Sequence, residues 1–244
     1  PYDDICVQRI NITNQSNRVR QLRLLSYGEP VLAPQATDRQ HPAFNKMFIE
    51  SEFNQEMKLL QFQRRKRSAD DDAYVLAHMI YDDLPGQVEY ESDREKFIGR
   101  GHNITQPKSV MVDDELSRTT GYTLDPIFSL GKRFIILPNQ TMKLTFLTIA
   151  AENKNTALNI AEKYQSKTRI NTGISSAENN SEIVLRALNL ENSDLVTYQS
   201  LLSRLIYPNH ALRPESAVLK SNELSQSGLW PLGISGDYPI LLLI

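Results

Sequence analysis

Residues 5–150 alternate short apolar runs with polar clusters at the spacing of strands and turns. Ile5–Thr13 is rich in Ile and Val and ends in Asn14, Gln15, Ser16 and Asn17, a polar turn cluster. Val19–Tyr27 resumes the pattern, so the two runs are predicted to pair as a hairpin. Met47–Phe53 and Met57–Phe62 are two more strands around Asn54, Gln55 and Glu56. Tyr74–Tyr81 is a compact apolar run between aspartates, and Gln87–Glu91 is short and alternating. Phe134–Leu137 leads through Pro138, Asn139 and Gln140 into a last strand. There Met142, Leu144 and Phe146 share one face, and Lys143 and Thr145 the other. Long strands joined by short polar turns predict an antiparallel sandwich.

The period changes after Ala151. Asn155 or Thr156 is placed to cap a helix with Ala157, Ile160, Ala161 and Tyr164 on one face. Glu182–Leu190 reads as a second helix. Ser193–Tyr207 reads as a third, with a stripe of Leu195, Tyr198, Leu202, Leu205 and Ile206; Ser193 and Asp194 suit its start and Pro208 its stop. Lys167–Asn180 is polar, contains Gly173, and is predicted to be the least structured stretch. The order is therefore mainly β, then helical, with no internal repeat. The chain opens directly on a strand-like run and closes on the apolar Pro239–Ile244, so the natural protein is expected to extend both ways.

Composition narrows the function classes. A length of 244 residues allows one large domain or two modest ones, and 40% hydrophobic with 23% charged residues is ordinary for a globular protein. Lys and Arg number 27 against 29 Asp and Glu, a net charge of -2 that gives no reason to expect nucleic acid or an anionic membrane surface as partner. The single cysteine, Cys6, forms no intrachain disulfide, which fits a reducing compartment. No secretory leader opens the sequence, and no apolar run reaches the roughly 18 residues of a bilayer span.

Most candidate chemistry reads as structural. Arg64–Arg67 faces Asp70–Asp72 in sequence, a solvated hairpin end rather than a phosphate site. His41, His78, His102 and His210 show no metal-ligand spacing, and His78, inside a strand, is expected to be packed. Glycosylation sequons begin at Asn11, Asn14, Asn103 and Asn139, and read as turn chemistry. No nucleophile elbow, phosphate-binding loop or dinucleotide fingerprint occurs, and no pair of carboxylates stands out for acid–base work. The segment Gln226–Ile240 is different. It carries the only tryptophan, Trp230, with Gly228, Gly233 and Gly236, and Asp237 before an apolar run. Glycines let backbone approach a ligand, Trp230 offers a stacking face, and Asp237 accepts sugar hydroxyls. The competing reading is a tight loop in which Asp237 caps a helix and Trp230 is core.

The same segment resembles the start of the catalytic barrel in glycoside hydrolase family 94, in the branch found at the C-terminus of cyclic β-1,2-glucan synthases. Ser26–Pro34, His41–Lys46 with Phe48–Glu50, Glu91–Gly101, Thr119–Leu130 and Leu205–Pro208 are similar to the same branch, in the same order. The resemblance covers nearly the whole chain and is weakest over 153–192.

The resemblance implies an architecture: the later part of a galactose-mutarotase-like β-supersandwich over 1–152, a helical linker over 153–222, and the truncated start of an (α/α)6 barrel over 223–244. It implies an inverting glycoside phosphorylase acting on β-1,2-glucan, in which inorganic phosphate is co-substrate and no other cofactor is needed. One carboxylic acid protonates the leaving oxygen, and phosphate replaces the base-activated water of an inverting hydrolase. That acid lies deeper in the barrel, so no catalytic residue and no metal ligand is assigned here. Asp237 is expected to bind sugar hydroxyls near the scissile bond, with Trp230 and Ser235 lining the site. Other members carry an arginine near this loop, where Gln226 and Pro231 stand here. The partners implied are β-1,2-glucan, the rest of the barrel and a second copy, on the cytoplasmic side of a bacterial inner-membrane protein. The rival reading is a free-standing carbohydrate-binding or structural β-sandwich module.

Overall fold

The computed structural model describes residues 3–66, 74–112, 114–206, 214–238 and 240. The chain divides into two compact units, Pro1–Glu178 and Asn179–Ile244. Its strands are β1 (Ile5–Thr13), β2 (Arg20–Leu25), β3 (Ile49–Asn54), β4 (Leu59–Arg64), β5 (Val75–Tyr81), β6 (Glu89–Asp93), β7 (Gly121–Tyr122), β8 (Pro126–Ile136) and β9 (Thr141–Ala151). Its α-helices are α1 (Gln35–Gln40), α2 (Pro42–Lys46), α3 (Arg94–Ile98), α4 (Lys108–Met111), α5 (Lys154–Lys163), α6 (Lys167–Ala187), α7 (Asn192–Ile206) and α8 (Ser216–Lys220).

The strands form a six-stranded sheet in the order β1-β9-β5-β4-β3-β7 and a three-stranded sheet in the order β2-β8-β6. All pairs are antiparallel, as the sequence predicts. The predicted β1–β2 hairpin does not form. β1 pairs with β9 from Ile5↔Ile149 to Thr13↔Thr141, and β2 pairs with β8 in the other sheet. The turn after β1 is therefore a corner that carries the chain between sheets, and so is the turn from β8 to β9. Asn14 joins the two corners. Its side-chain nitrogen donates to Arg18 O at 2.7 Å and Ile136 O at 3.0 Å, and its backbone N–H donates to Gln140 O. Buried and doubly bonded, that nitrogen is turn chemistry, as the sequence reading expects.

The large sheet is covered on both faces, and β9 shows how. Leu144 and Phe146 point between the sheets, packing with Leu60, Phe62, Ile80, Leu130 and Ile136. Leu147 and Ile149 point the other way, to Leu59, Val75, Met79 and the helical residues Ala157, Ala161, Tyr164 and Ile170. Each such aliphatic or aromatic side chain contributes roughly 1.5–3 kcal/mol when fully buried. A two-sided core also explains why Tyr74–Tyr81 reads as a continuous apolar run rather than an alternation.

α5 carries the predicted core face, but its cap is Asn153, whose side chain accepts from Thr156 N at 2.9 Å; the cap was predicted two or three residues later. Lys167–Asn180 is not a loop but the first part of α6, predicted only from Glu182 onward. Ile170 is its buried anchor, Ile174 packs on the same cluster, and Gly173 lies against the Tyr164 ring.

β8 begins at Pro126, eight residues before its predicted start, because Ser129, Gly131 and Lys132 interrupt the apolar pattern. Lys132 is fully buried. Its Nζ donates to Asp82 Oδ1 at 2.7 Å and to Leu84 O at 2.9 Å, which offsets the desolvation of the charge. His78 is packed as expected. Its ring nitrogens lie 2.9 Å from Ser26 Oγ and 2.9 Å from Thr148 Oγ1, and burial lowers its pKa from 6.5 to about 4.

The outer face of the small sheet is capped by α3, α4 and the segment after them. Phe97, Ile98 and Leu116 pack there on Ile127, with Leu25 and Tyr27 alongside. Arg23 clamps buried Glu89 with two hydrogen bonds and donates to Ser109 O, tying α4 to the sheet.

In the second unit, α7 presents the predicted stripe of Leu195, Tyr198, Leu202 and Ile206, all exposed within that unit. The Leu205 side chain, Tyr207 and Pro208 lie outside the described residues. A 3₁₀ helix spans Gln226–Leu232. No helix among the described residues is long and apolar enough to cross a membrane.

Candidate functional site

The sequence places its candidate sugar contacts in the loop that follows the 3₁₀ helix. The 3₁₀ turn closes with Gly233 N–H donating to Trp230 O, and Gly233 and Gly236 take positive φ of 73° and 76°. At Gly236 a Cβ would stand 2.9 Å from both Gln226 Cγ and Leu229 Cδ1, so a side chain there is excluded twice over, by space and by conformation. The tight fold brings Gln226 back onto the loop. Its amide nitrogen donates to Ser235 O at 2.8 Å and to Asp237 Oδ1 at 2.8 Å. Ser235 Oγ accepts from Asp237 N–H at 3.4 Å.

Ser235 and Asp237 are thus held by Gln226. Trp230 is 64% exposed, and the segment that Asp237 would cap lies, apart from Ile240, outside the described residues. The arrangement leaves Asp237 Oδ2 without a partner among the described residues, open to accept a hydroxyl.

A second constellation lies in the first unit, and the residue-by-residue reading assigned no role to it. Four of the motif stretches converge there. Lys46, at the end of α2, donates to Glu29 Oε2 at 2.9 Å and to Asp125 Oδ1 at 2.7 Å. Arg94, at the start of α3, spans the same two carboxylates at 3.3 and 3.6 Å. Its backbone N–H donates to Asp125 O. Tyr27 donates to Glu29 Oε1 at 2.8 Å and its ring packs against Phe97.

The Lys46 ammonium beside Glu29 holds that carboxyl below the usual carboxylate range, so Glu29 is ionised at neutral pH. Burial works against the Lys46 charge, but its bonds to Asp125 and Glu29 outweigh this and raise its pKa. Burial, then Glu29, raises the Tyr27 phenol. These charges are matched to one another, which suits a rigid positioning cluster better than a proton donor. No sequence spacing links residues so far apart; the only signal was that each sits inside a motif stretch.

Beside this network opens a cavity of about 460 Å³ lined by Arg94, Asp125, Gly99, Arg100, His102 and Leu124. His102 Nδ1 lies 3.1 Å from Gln106 O; because a carbonyl only accepts, Nδ1 carries the proton. Gly99, at φ 82°, ends α3 where a Cβ would strike the Lys108 side chain at 2.6 Å.

The remaining sequence candidates are structural or apart. Arg64 donates to Asn45 Oδ1 and Leu32 O, while Arg67 and Asp70–Asp72 lie outside the described residues. Among the described residues no cluster of His, Cys, Asp or Glu is arranged to hold a metal. His210 lies outside them. Asn103 Oδ1 accepts from Thr105 N and Gln106 N, an Asx turn. Cys6 is an exposed free thiol.

Comparison with known proteins supplies the family context. Residues 1–167 match the family described as "Glycosyl hydrolase 94, supersandwich domain". The chain is 32% identical over 238 residues to the cyclic beta-(1,2)-glucan synthase NdvB of Rhizobium meliloti (strain 1021), across 97% of this chain. It spans 8% of that relative's length.

Proposed function

The chain belongs to the glycosyl hydrolase 94 supersandwich family, and from that premise we propose that it serves as the sandwich and adjoining helical part of a longer glycoside phosphorylase acting on β-1,2-glucan. In this reading residues 1–152 are the scaffold, 153–222 a linker, and 223–244 the beginning of an (α/α)6 barrel whose deeper part carries the catalytic acid. Inorganic phosphate is the nucleophile. Asp237 Oδ2 accepts a sugar hydroxyl, Trp230 stacks on a sugar face, and Ser235 lines the site, with Gln226 fixing the loop.

The observation that carries the reading is the convergence of four motif stretches on one cluster of mutually neutralised charges. Those stretches, which resemble the synthase branch, hold α2, α3 and the β7–β8 loop together. Glu29 and Asp125 are each bound to cations, and Glu29 is kept ionised. An ionised Glu29 is not suited to protonate a leaving group, in keeping with a scaffold role for this part.

The test is release of glucose 1-phosphate from β-1,2-glucooligosaccharides and phosphate, by residues 1–244 and by the longer natural protein. Activity in the longer protein alone is expected. Release by residues 1–244 overturns the division of labour. A folded longer protein that binds the oligosaccharide without phosphorolysis favours a carbohydrate-binding module instead. The same longer protein reports whether the parent sits on the cytoplasmic side of an inner membrane and forms homodimers, as this reading expects.

A further inference from the structure

β4 carries one side chain that its face does not explain. Leu59 and Gln61 project to the side of the large sheet that α5 covers, while Leu60 and Phe62 project between the sheets. The neighbours of Gln61 on that side are core residues: Leu59 on its own strand and Ala77 directly opposite on β5. Gln61 is 5% exposed, yet its side-chain amide has no hydrogen-bond partner among the described residues. The amide is also reachable. The unpartnered polar atoms that are closed off from the surface belong to Glu91, Ser109 and Ser129, so the oxygen and nitrogen of the Gln61 amide both keep some accessible surface. Gln61 lines a cavity of about 350 Å³, and that surface serves it. Buried polar side chains are normally bonded, so an amide left open beside a cavity marks a place where a partner from outside the chain fits.

We propose that this cavity binds a single neutral sugar ring, held by the Gln61 amide through a pair of adjacent hydroxyls. The walls select this class. Glu52 stands opposite Gln61 on β3, and Asn54 and Gln55 follow at the turn. Lys154 and Leu158, one turn apart on α5, close the other side. Lys154 is paired with Glu52, so the one cation and the one anion of the lining neutralise each other, and neither sign is left over to select an ion. What remains is amide chemistry. An amide presents an acceptor oxygen and N–H donors side by side, and neighbouring ring hydroxyls present the matching donor and acceptor. Asn54 Oδ1 accepts from Met57 N at 3.0 Å, which leaves its amide nitrogen to donate. Half-buried Leu158 supplies apolar surface for the C–H face of a ring. The volume is at the lower end of small-molecule sites, the size of about one ring rather than a chain of them. The inference stands on this cavity alone; it does not depend on phosphorolysis or on the Asp237 loop, which belongs to the other unit.

The experiment is an NMR titration of residues 1–244 with D-glucose and, separately, with a linear β-1,2-linked glucotriose. The Gln61 side-chain amide pair and the Leu158 methyls are followed. Saturable shifts of both are expected, with intermolecular NOEs from the Gln61 amide to sugar protons, and added sodium chloride should leave them unchanged. Gln61→Met removes the amide at nearly constant volume. It should weaken binding, read at the Leu158 methyls, by roughly tenfold, the order of one hydrogen bond, with thermal unfolding unchanged or raised because an unpartnered buried amide is gone. A purely structural Gln61 would instead lower the unfolding temperature and leave the sugar response alone. An equal response to both probes supports a site for a free monosaccharide, and a response to the triose alone supports a site for one ring of a glucan chain. Absence of saturable shifts at Gln61 with either probe overturns the proposal, leaving a solvated groove. Shifts abolished by salt overturn the neutral ligand class. Binding undiminished in the folded Gln61→Met variant places the sugar elsewhere and overturns it as well; should that variant fail to fold, the presence or absence of the NOEs to Gln61 in the wild type decides.

Discussion

Protonating His78 should cost the fold about 3 kcal/mol. The imidazole is 2% exposed, lies between Ser26 and Thr148, stacks on Phe146 and touches Phe128. Both ring nitrogens are satisfied by hydroxyls, and among the described residues no anionic side chain is bonded to the ring, so the neutral form is favoured. Burial lowers its pKa from 6.5 to about 4. The sign follows from linkage. Between these values the unfolded chain binds the proton and the folded chain does not, so stability falls as pH falls. The contribution is intact above pH 6.5, declines below it, and is lost once pH passes about 4. At about 1.4 kcal/mol per pH unit, the full loss is about 3 kcal/mol. Urea unfolding from pH 7 to pH 4 should show the wild-type curve falling more steeply than His78→Gln by that amount. Parallel curves, or an NMR titration of His78 near 6.5, would refute the reasoning.

Other consequences can be checked on the same protein. Lys132→Met leaves Asp82 buried beside only the partly exposed Lys58, and should destabilise by about 3–5 kcal/mol in urea unfolding; a change under about 1 kcal/mol would mean the pair is not desolvated. Asn14→Ala removes the amide that ties the two corners, and should cost about 1–3 kcal/mol by the same assay. Gly28→Ala places a Cβ 2.1 Å from Phe128 Cζ and should lower stability by about 1–3 kcal/mol, with the Phe128 ring resonances displaced. Lys46→Met should let the Glu29 carboxyl titrate closer to its ordinary range, read by carboxyl-detected NMR; an unmoved titration would argue that Lys46 does not hold it.

The strands were legible where apolar runs end in polar turn clusters. β1 matches its predicted bounds although its apolar alternation changes phase: Ile5 and Val7 pack on the helical side of the sheet, Ile10 and Ile12 between the sheets. Its pairing was not legible: a hairpin and a corner between sheets need the same polar turn, and what distinguishes them is Asn14 reaching Ile136, remote in sequence. The first part of β8 was hidden by Lys132, a buried cation that reads as exposed until Asp82 is seen beside it. The first half of α6 was hidden because only Ile170 is buried, too sparse for a periodic signal. The Trp230, Ser235 and Asp237 loop was visible as composition, yet the role of Gln226 was not, because its amide reaches Ser235 and Asp237 only in the folded loop. The Glu29, Lys46, Arg94 and Asp125 cluster could not be assembled from spacing at all, since tertiary folding alone brings those stretches together.

The central claim is that this sandwich supports phosphorolysis performed elsewhere in a longer chain, with Asp237 at the sugar. Glucose 1-phosphate release from β-1,2-glucooligosaccharides by the longer natural protein, its Asp237→Asn variant and residues 1–244 tests it most directly. The account predicts release by the first, strongly reduced release by the second with the fold retained, and none by the third. Undiminished release by the variant, or any release by residues 1–244, would contradict it.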